Sequence, residues 1–354
     1  MNDIHSEAKQ ISSSIIKGDS ISHPLVSILI PVYNREKYIK ETIDSAIRQT
    51  YSNIEIIVVD NNSSDDTWNI IVKISENDKR IKIFKNETNI GPVLNWKRCV
   101  SEASGVYGKI LWSDDLIAPT FIEKTLLGLK DNANVGFVFT GTEIFVDSTG
   151  ENEYVYDIGK TGTYNSKDYV EGVLFGRGFP VSPGCALFRL SDLEKNLKVD
   201  IDNNVNSDFS KHAIGNDLLI FLLTANEYKE FRFINERLSY FRHHNDSITI
   251  KAVKGKIPLH YTLAACYFVE HFRKDLVHKM NVNVFYNLMK YPDSKKYGLN
   301  KVNDFYTRNA NYNYDYAYLC GRLVRAIKGL VGSNIYRAWI AVSKYMTCFV
   351  RRWK

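Results

Sequence analysis

Lys109-Ile110-Leu111-Trp112-Ser113-Asp114-Asp115-Leu116 is an apolar run that ends abruptly in two adjacent carboxylates. An earlier run, Val26-Ser27-Ile28-Leu29-Ile30-Pro31-Val32-Tyr33-Asn34, sets it up. Two like charges side by side are not buried unpaired, so a strand of this kind ends at solvent or at a cation. Ligands of an open α/β sheet bind outside the carboxyl ends of its strands. Asp114 and Asp115 therefore stand where a ligand is expected, in an arrangement suited to Mg2+ or Mn2+ carrying a diphosphate. The alternative is a strand-to-helix turn whose acids cap the following helix.

Working outward, Val26 to Val32 is continuously apolar, the pattern of a strand covered on both faces. From Glu36 a helical period puts Tyr38, Ile39, Ile43, Ala46 and Ile47 on one face, with Asn34 placed to cap it. Ile54 to Val59 predicts a second strand. The polar loop Asp60-Asn61-Asn62-Ser63-Ser64-Asp65-Asp66-Thr67 then opens a helix that turns Trp68, Ile71, Val72 and Ile74 inward. Arg80 to Phe84 predicts a third strand, followed by the turn Asn89-Ile90-Gly91-Pro92 and a helix from Val93 to Ala103. This alternation predicts an α/β fold, a mostly parallel sheet flanked by helices and joined by right-handed crossovers. Polar residues follow strands one, two and four, so they gather on one edge.

Beyond Pro119 the pattern predicts a helix from Phe121 to Leu129 and a strand from Val135 to Thr140. Residues 149–208 read as irregular, with the Gly-rich run Gly176 to Gly184 shaping a pocket or a lid. Ile214-Gly215-Asn216-Asp217 opens an apolar helix, and Tyr240-Phe241-Arg242-His243-His244-Asn245-Asp246-Ser247-Ile248-Thr249 precedes a helical C-terminal hundred residues.

Composition removes several classes. The five cysteines are scattered and form no C-x-x-C pair, so neither a disulfide framework nor a zinc site is expected and the cytoplasm is the expected compartment. The N-terminus has no apolar signal core, and no run of about eighteen apolar residues is long enough to span a bilayer. No G-x-G-x-x-G follows the first strand, which excludes a nicotinamide dehydrogenase. The net charge of +6 is concentrated in the tail: Cys320 to Lys354 contains Arg322, Arg325, Lys328, Arg337, Lys344, Arg351, Arg352 and Lys354 and no acid. Nucleic acid is therefore not an expected partner. From Leu323 to Trp353 these cations interleave with apolar residues, as in helices that lie on anionic membranes; packing on the catalytic domain or on another subunit is the alternative.

Taken in order, P-x-Y-N, V-V-D-N-N-S-S-D-D-T, T-N-I-G and W-S-D-D resemble the second family of nucleotide-sugar-dependent glycosyltransferases, of the GT-A fold. The resemblance covers residues 25–250, and relatives of this kind build bacterial O-antigens and capsules. It implies a catalytic domain over 25–250 divided into a nucleotide-sugar half (25–115) and an acceptor half (116–250), flanked by a polar, Ser-rich stretch over 1–24 that reads as a leader and by the helical region over 251–354. It also implies that Pro31, Tyr33, Asn34 and Asp60 hold the nucleoside, UDP or dTDP, and that Arg80 lies near the nucleotide. Asn61 stands where a second acid is common. Asp115 is the implied metal ligand for Mn2+ or Mg2+. Asp114 is assigned to ribose, donor sugar or metal-bound water, and His244 completes the metal shell, with His243 leaving the register open by one. Asp217 matches the general base of an inverting transfer to a hydroxyl, since a carboxylate must take that proton as the bond forms. The implied acceptor is a glycan, lipid-linked, met at the inner face of the cell membrane. The rivals are a non-catalytic sugar- or nucleotide-binding scaffold and a sugar nucleotidyltransferase. The latter needs a basic Gly-rich loop after the first strand, and Pro31-Val32-Tyr33-Asn34 offers none.

Overall fold

Seven consecutive residues with no exposed side chain, Val26–Val32, form β1, and a second such set, Ile54–Asp60, forms β2 beside it in parallel. Strands buried on both faces must be interior to a layered sheet, which is why both read as unbroken apolar runs. The structure is a computed structural model and describes residues 23–147, 149–176, 178–244, 255–308 and 313–330.

In chain order the elements are β1 (Val26–Val32), α1 (Ile39–Ile47), β2 (Ile54–Asp60), α2 (Thr67–Ser75), β3 (Ile81–Lys85), α3 (Pro92–Ser101), β4 (Tyr107–Ile110), β5 (Leu116–Ile117), α4 (Phe121–Leu129), β6 (Val135–Phe145), β7 (Asn152–Val155), β8 (Gly162–Asn165), α5 (Ser166–Phe175), β9 (Ala186–Arg189), α6 (Leu190–Asn196), α7 (Phe209–His212), α8 (Asn216–Glu227), β10 (Glu230–Arg242), α9 (Lys256–Phe272), α10 (Val277–Lys290) and α11 (Tyr316–Leu330). Two units divide them. One comprises the residues up to Tyr164 with Pro183–Lys195 and Glu230–Arg242; the other comprises Asn165–Ser182, Asn196–Lys229 and the residues from His243 onward.

The first unit carries a sheet of order β3-β2-β1-β4-β9-β6-β10-β5, with β7 on β6 and β8 on β10. β3, β2, β1 and β4 are mutually parallel, as the alternating pattern predicts. Past β4 the sheet becomes mixed, because β9 runs antiparallel to both β4 and β6. β9 comes from the stretch read as irregular, which also holds β7, β8, α5 and α6. The short strands there give too few alternations to stand out from loop. Ile28, Ile30, Ile56 and Val58 meet Ile43, Ile71, Phe121 and Leu126 in the core, each fully buried side chain contributing about 1.5–3 kcal/mol.

A polar pin braces the amino end of β1 and β2. Glu55 is buried and accepts from Ser27 Oγ at 2.6 Å, Lys82 Nζ at 2.7 Å and the Ser104 amide at 2.6 Å. Burial alone would raise its pKa, but these donors outweigh it and hold the carboxyl below its ordinary range. Gly105 lies against the same serine: a Cβ there would fall 2.5 Å from Ser27 Oγ. Glu55→Gln is expected to cost about 1–3 kcal/mol, because the buried donors lose a charged acceptor. Urea unfolding of the variant checks this, and an unchanged midpoint would refute it.

In the second unit α8 is buried along Asn216–Ala225, the pattern of a helix covered on all sides. It packs against α5 and α9, with Tyr169 stacked on Phe221 at 5.4 Å. Ahead of α8 the chain turns through Ala213 (φ 59°) and Gly215 (φ 106°). The loop before the turn is fixed by two imidazoles on one hydroxyl: His212 Nε2 and His260 Nε2 each lie 3.0 Å from Ser207 Oγ. His212 Nδ1 accepts from the Ile214 amide and His260 Nδ1 donates to the Lys256 carbonyl. That leaves the His212 proton on Nε2, facing Ser207 Oγ, and burial lowers the pKa of both rings, which favours a neutral His260 that accepts from the Ser207 hydroxyl.

Candidate active site

The carboxyl edge of β1, β2 and β4 gathers most of the residues singled out in the sequence. Pro31 is buried in β1 opposite Val59; having no N–H, it stands two residues beyond Leu29, the last residue of β1 paired with β4. Tyr33 follows, 42% exposed, the one large aromatic of this loop open to a ligand. Asn34 does not cap α1. It adopts φ 51°, a conformation that asparagine tolerates, and its Oδ1 accepts from the Ser64 amide at 2.9 Å while its own amide donates to Ser63 Oγ at 2.9 Å. The loops after β1 and β2 are thereby fastened to each other.

Asp60 ends β2 fully buried, and its carboxylate accepts from the amide and hydroxyl of Ser63, with Lys85 Nζ 3.9 Å away. Its visible task is to fold the Asp60–Thr67 loop. Asn61 beside it is saturated: Nδ2 donates to Asn89 Oδ1 and the Gly91 carbonyl, and Oδ1 accepts from Asn86 Nδ2 and the Ile90 amide. With both donors and both lone pairs used, its side chain pins the loop after β3 and has nothing left to offer a base.

Asp114 and Asp115 occupy the turn between β4 and β5. Asp114 pairs with Arg35 Nε at 3.2 Å, and the Arg35 amide donates to Thr67 Oγ1 at 2.7 Å. Asp115 is buried; its Oδ1 accepts from the Arg242 amide at 2.9 Å, and its Oδ2 makes no hydrogen bond among the described residues. Burial, then the neighbouring Asp114 charge, push the Asp115 carboxyl well above the carboxylate range, against the pull of the Arg242 amide and of the Lys109 and Arg242 charges.

Three cations here were not assigned from the sequence. Arg35 is one. Arg242, at the end of β10, donates to the Asp114 carbonyl at 3.0 Å, to Glu41 at 2.5 Å and to Asp147, with Tyr38 and Phe145 rings 5.0 and 4.7 Å from its guanidinium. Lys109, on β4, is fully buried, donates to the Gly184 carbonyl and lies 4.5 Å over the Phe121 ring. Burial pushes its ammonium down to about 7, with Cys185 and Asp115 pulling the other way. Arg35 and Arg242 lie far from the acids along the chain, and Lys109, though close in sequence, is set by the Gly184 carbonyl and Phe121, so no local pattern announces them.

Arg80 is not brought to this edge. It precedes Ile81 at the amino end of β3, where it pairs with Asp78 at 2.7 Å and donates to the Ile47 carbonyl at 3.0 Å. In a parallel strand that is the end away from Asp60 and Asp115, and the cation at the carboxyl end of β3 is Lys85.

Donor chemistry decides whether this edge fits a divalent cation. Among the described residues no group of three or more His, Cys, Asp or Glu side chains forms a ready cage. One carboxylate oxygen with no hydrogen bond among the described residues, Asp115 Oδ2, does suit an ion that brings most of its oxygens with it as diphosphate and water. His244 follows β10 half-buried and His243 is exposed; Ser247 and Thr249 of the same motif lie outside the described residues.

In the second unit Asp217 begins α8, 8% exposed. Its Oδ1 accepts from the Gly215 amide at 3.1 Å and the Leu218 amide at 2.9 Å, and its Oδ2 from Tyr261 Oη at 2.5 Å. Burial pushes the carboxyl up to about 6, opposed by those three donors. Such a group is ionised at neutral pH yet basic enough to take a proton.

A half-parallel sheet with acids at the carboxyl edge of β4 is the architecture of GT-A glycosyltransferases. The solved structure of Staphylococcus aureus TarS (residues 1–349, with UDP-GlcNAc) shares it, with a TM-score of 0.53 at 16% identity over 78% of this chain and 89% of that one. A model described as glycosyl transferase family 2 matches residues 27–197. An uncharacterized glycosyltransferase of Methanocaldococcus jannaschii is 32% identical over 245 residues, 68% of this chain and 78% of the relative. The chain belongs to glycosyl transferase family 2. It spans about half of another relative, an uncharacterized Haemophilus influenzae glycosyltransferase 36% identical over 43% of this chain and 48% of its own length. It is also similar to the Campylobacter jejuni GalNAc(5)-diNAcBac-PP-undecaprenol beta-1,3-glucosyltransferase, 27% identical over 76% of this chain and 82% of that one.

Proposed function

We propose that the chain transfers a sugar from a nucleoside diphosphate sugar to an acceptor hydroxyl, with inversion at the anomeric carbon. The observation that carries this reading is the meeting of Tyr33, Asn34, Asp60, Asp114 and Asp115 at one sheet edge in a family-two chain. Tyr33 offers an open ring to the base. Asn34 and Asp60 hold the two loops that frame the nucleoside. Arg35, paired with Asp114, is within the same edge to meet a diphosphate. Asp115 would hold Mn2+ or Mg2+ through Oδ2, His244 being the second candidate ligand, and the bound ion supplies charge stabilisation on the departing diphosphate. Asp217 takes the acceptor proton as the new C–O bond forms and the bond to diphosphate breaks, through an oxocarbenium-like transition state.

Thermal unfolding against a panel of nucleoside diphosphates, with and without Mn2+, tests the donor half. UDP or dTDP with Mn2+ at a hundredfold excess over Kd is expected to raise Tm by about 5 °C. No shift with any nucleotide would overturn it.

The acceptor in this reading is lipid-linked, by analogy with the Campylobacter relative, and the site of action is the inner membrane surface. Among the described residues no helix is long and apolar enough to cross a membrane. α11 covers the start of the basic run, and Val331 to Lys354 lie outside the described residues. The full chain is expected to sediment with anionic liposomes at low salt and to be released at high salt. A second copy of the chain is the other partner of this run, and an unbound protein at low salt would favour it.

A further inference from the structure

A carboxylate has about four acceptor positions, two on each oxygen. On Asp217, Oδ1 spends both on the Gly215 and Leu218 amides, which are fixed by the turn and by the start of α8. Oδ2 spends one on the Tyr261 hydroxyl, at 2.5 Å. A single position is left, and it is on the oxygen that Tyr261 holds. Tyr261 belongs to the first half of α9, whose preceding residue, His260, is locked on Ser207 and on the Lys256 carbonyl, so the phenol is delivered from a fixed helix. Tyr261 and Leu218 also line a cavity of about 250 Å3, walled elsewhere by Val181, Met280 and Asn287. Tyr261 thus both holds the carboxylate and borders a cavity within the second unit.

We propose that Asp217 Oδ2 is the oxygen that receives the acceptor proton and that Tyr261 is its positioning residue. This deepens, and rests on, the reading of Asp217 as the base. The phenol donates to Oδ2 throughout: it fixes the carboxylate plane, and by favouring the charged form it keeps Asp217 ionised to lower pH than burial alone would allow. Proton transfer fills the last position on Oδ2 and leaves the hydrogen bond from Tyr261 in place, so no proton moves through the phenol. Tyr261 is the titratable side chain in contact with Asp217. His260 and His212 turn their rings to Ser207, and α5 presents Tyr169 to Phe221.

Tyr261→Phe in the full chain separates this from a structural role. It is nearly isosteric, and it is expected to raise the acid limb of the kcat/KM pH profile by about one unit. Turnover at pH 7 is expected to fall about tenfold, with donor KM unchanged. A carboxyl 13C titration of Asp217 reads the same upward shift without turnover, and so serves even a poorly active variant. An unshifted midpoint in both measurements overturns the role of Tyr261. Asp217→Asn at wild-type turnover would overturn the base itself, so the two failures are distinct.

Discussion

Asp217→Asn is expected to reduce kcat by about 10²- to 10⁴-fold, the usual contribution of a general base, while donor binding at the first unit is retained. The geometry makes this a fair test. An asparagine oxygen still accepts from the Gly215 and Leu218 amides, and its NH2 group can donate to Tyr261 Oη, so the start of α8 keeps its bonds. What is lost is the basic oxygen alone. Since Asp217 titrates near 6, wild-type kcat/KM should rise as pH rises through about 6 and then level, and that limb should vanish in the variant. The same substitution has a signature in stability. Asp217 has its folded value raised from 3.8, so its contribution is full below 3.8 and is lost as pH rises through about 6. His212 is depressed from 6.5 to about 4, by burial first and by His260 second. Its contribution is present above 6.5 and lost as pH falls through about 4. Between those limits the two slopes oppose each other. A neutral asparagine mimics the protonated acid, so the variant should match wild type near pH 4 and gain stability over it as pH rises through about 6; Tm measured from pH 4 to 7 reads it. Wild-type turnover in the variant would exclude Asp217 as base.

Asp115→Asn should be nearly as damaging, by a different route. The substituted amide would still accept from the Arg242 amide through its oxygen, so the end of β10 stays tied to the turn. What is replaced is Oδ2, the oxygen proposed to meet the cation once the carboxyl has given up its proton. A loss of about 10²- to 10³-fold in kcat/KM for the donor is expected, about 3 to 4 kcal/mol of transition-state stabilisation. The Mn2+-dependent part of the nucleotide thermal shift should disappear, and the Mn2+-independent part should remain. If Mn2+ still enhances nucleotide binding in the variant, the cation is held elsewhere.

Legibility in the sequence followed the range of the forces involved. Strand runs buried on both faces, the acids that end them and the glycine turns are local, so the parallel half of the sheet and its polar edge could be placed from pattern alone. Arg35, Lys109, Arg242 and Tyr261 could not, since each becomes meaningful only through a partner many residues away. Asn34 misled because a capping residue and a loop-to-loop tie use the same side chain; its left-handed backbone chose the tie. Arg80 misled because the resemblance puts a cation near the nucleotide there, whereas the sheet leaves it at the amino end of β3 with Asp78. β7, β8 and β9 are four residues each, shorter than the window in which a period shows.

Asn61 has a consequence for anyone wishing to retune nucleotide preference. Its amide gives two protons to Asn89 and Gly91 and receives two from Asn86 and Ile90. An aspartate written there, one atom different, would set oxygen against oxygen on the donating side and unfasten the loop after β3. A lone exchange at this position is therefore disfavoured, since the Gly91 carbonyl as well as Asn89 Oδ1 would face the new carboxylate.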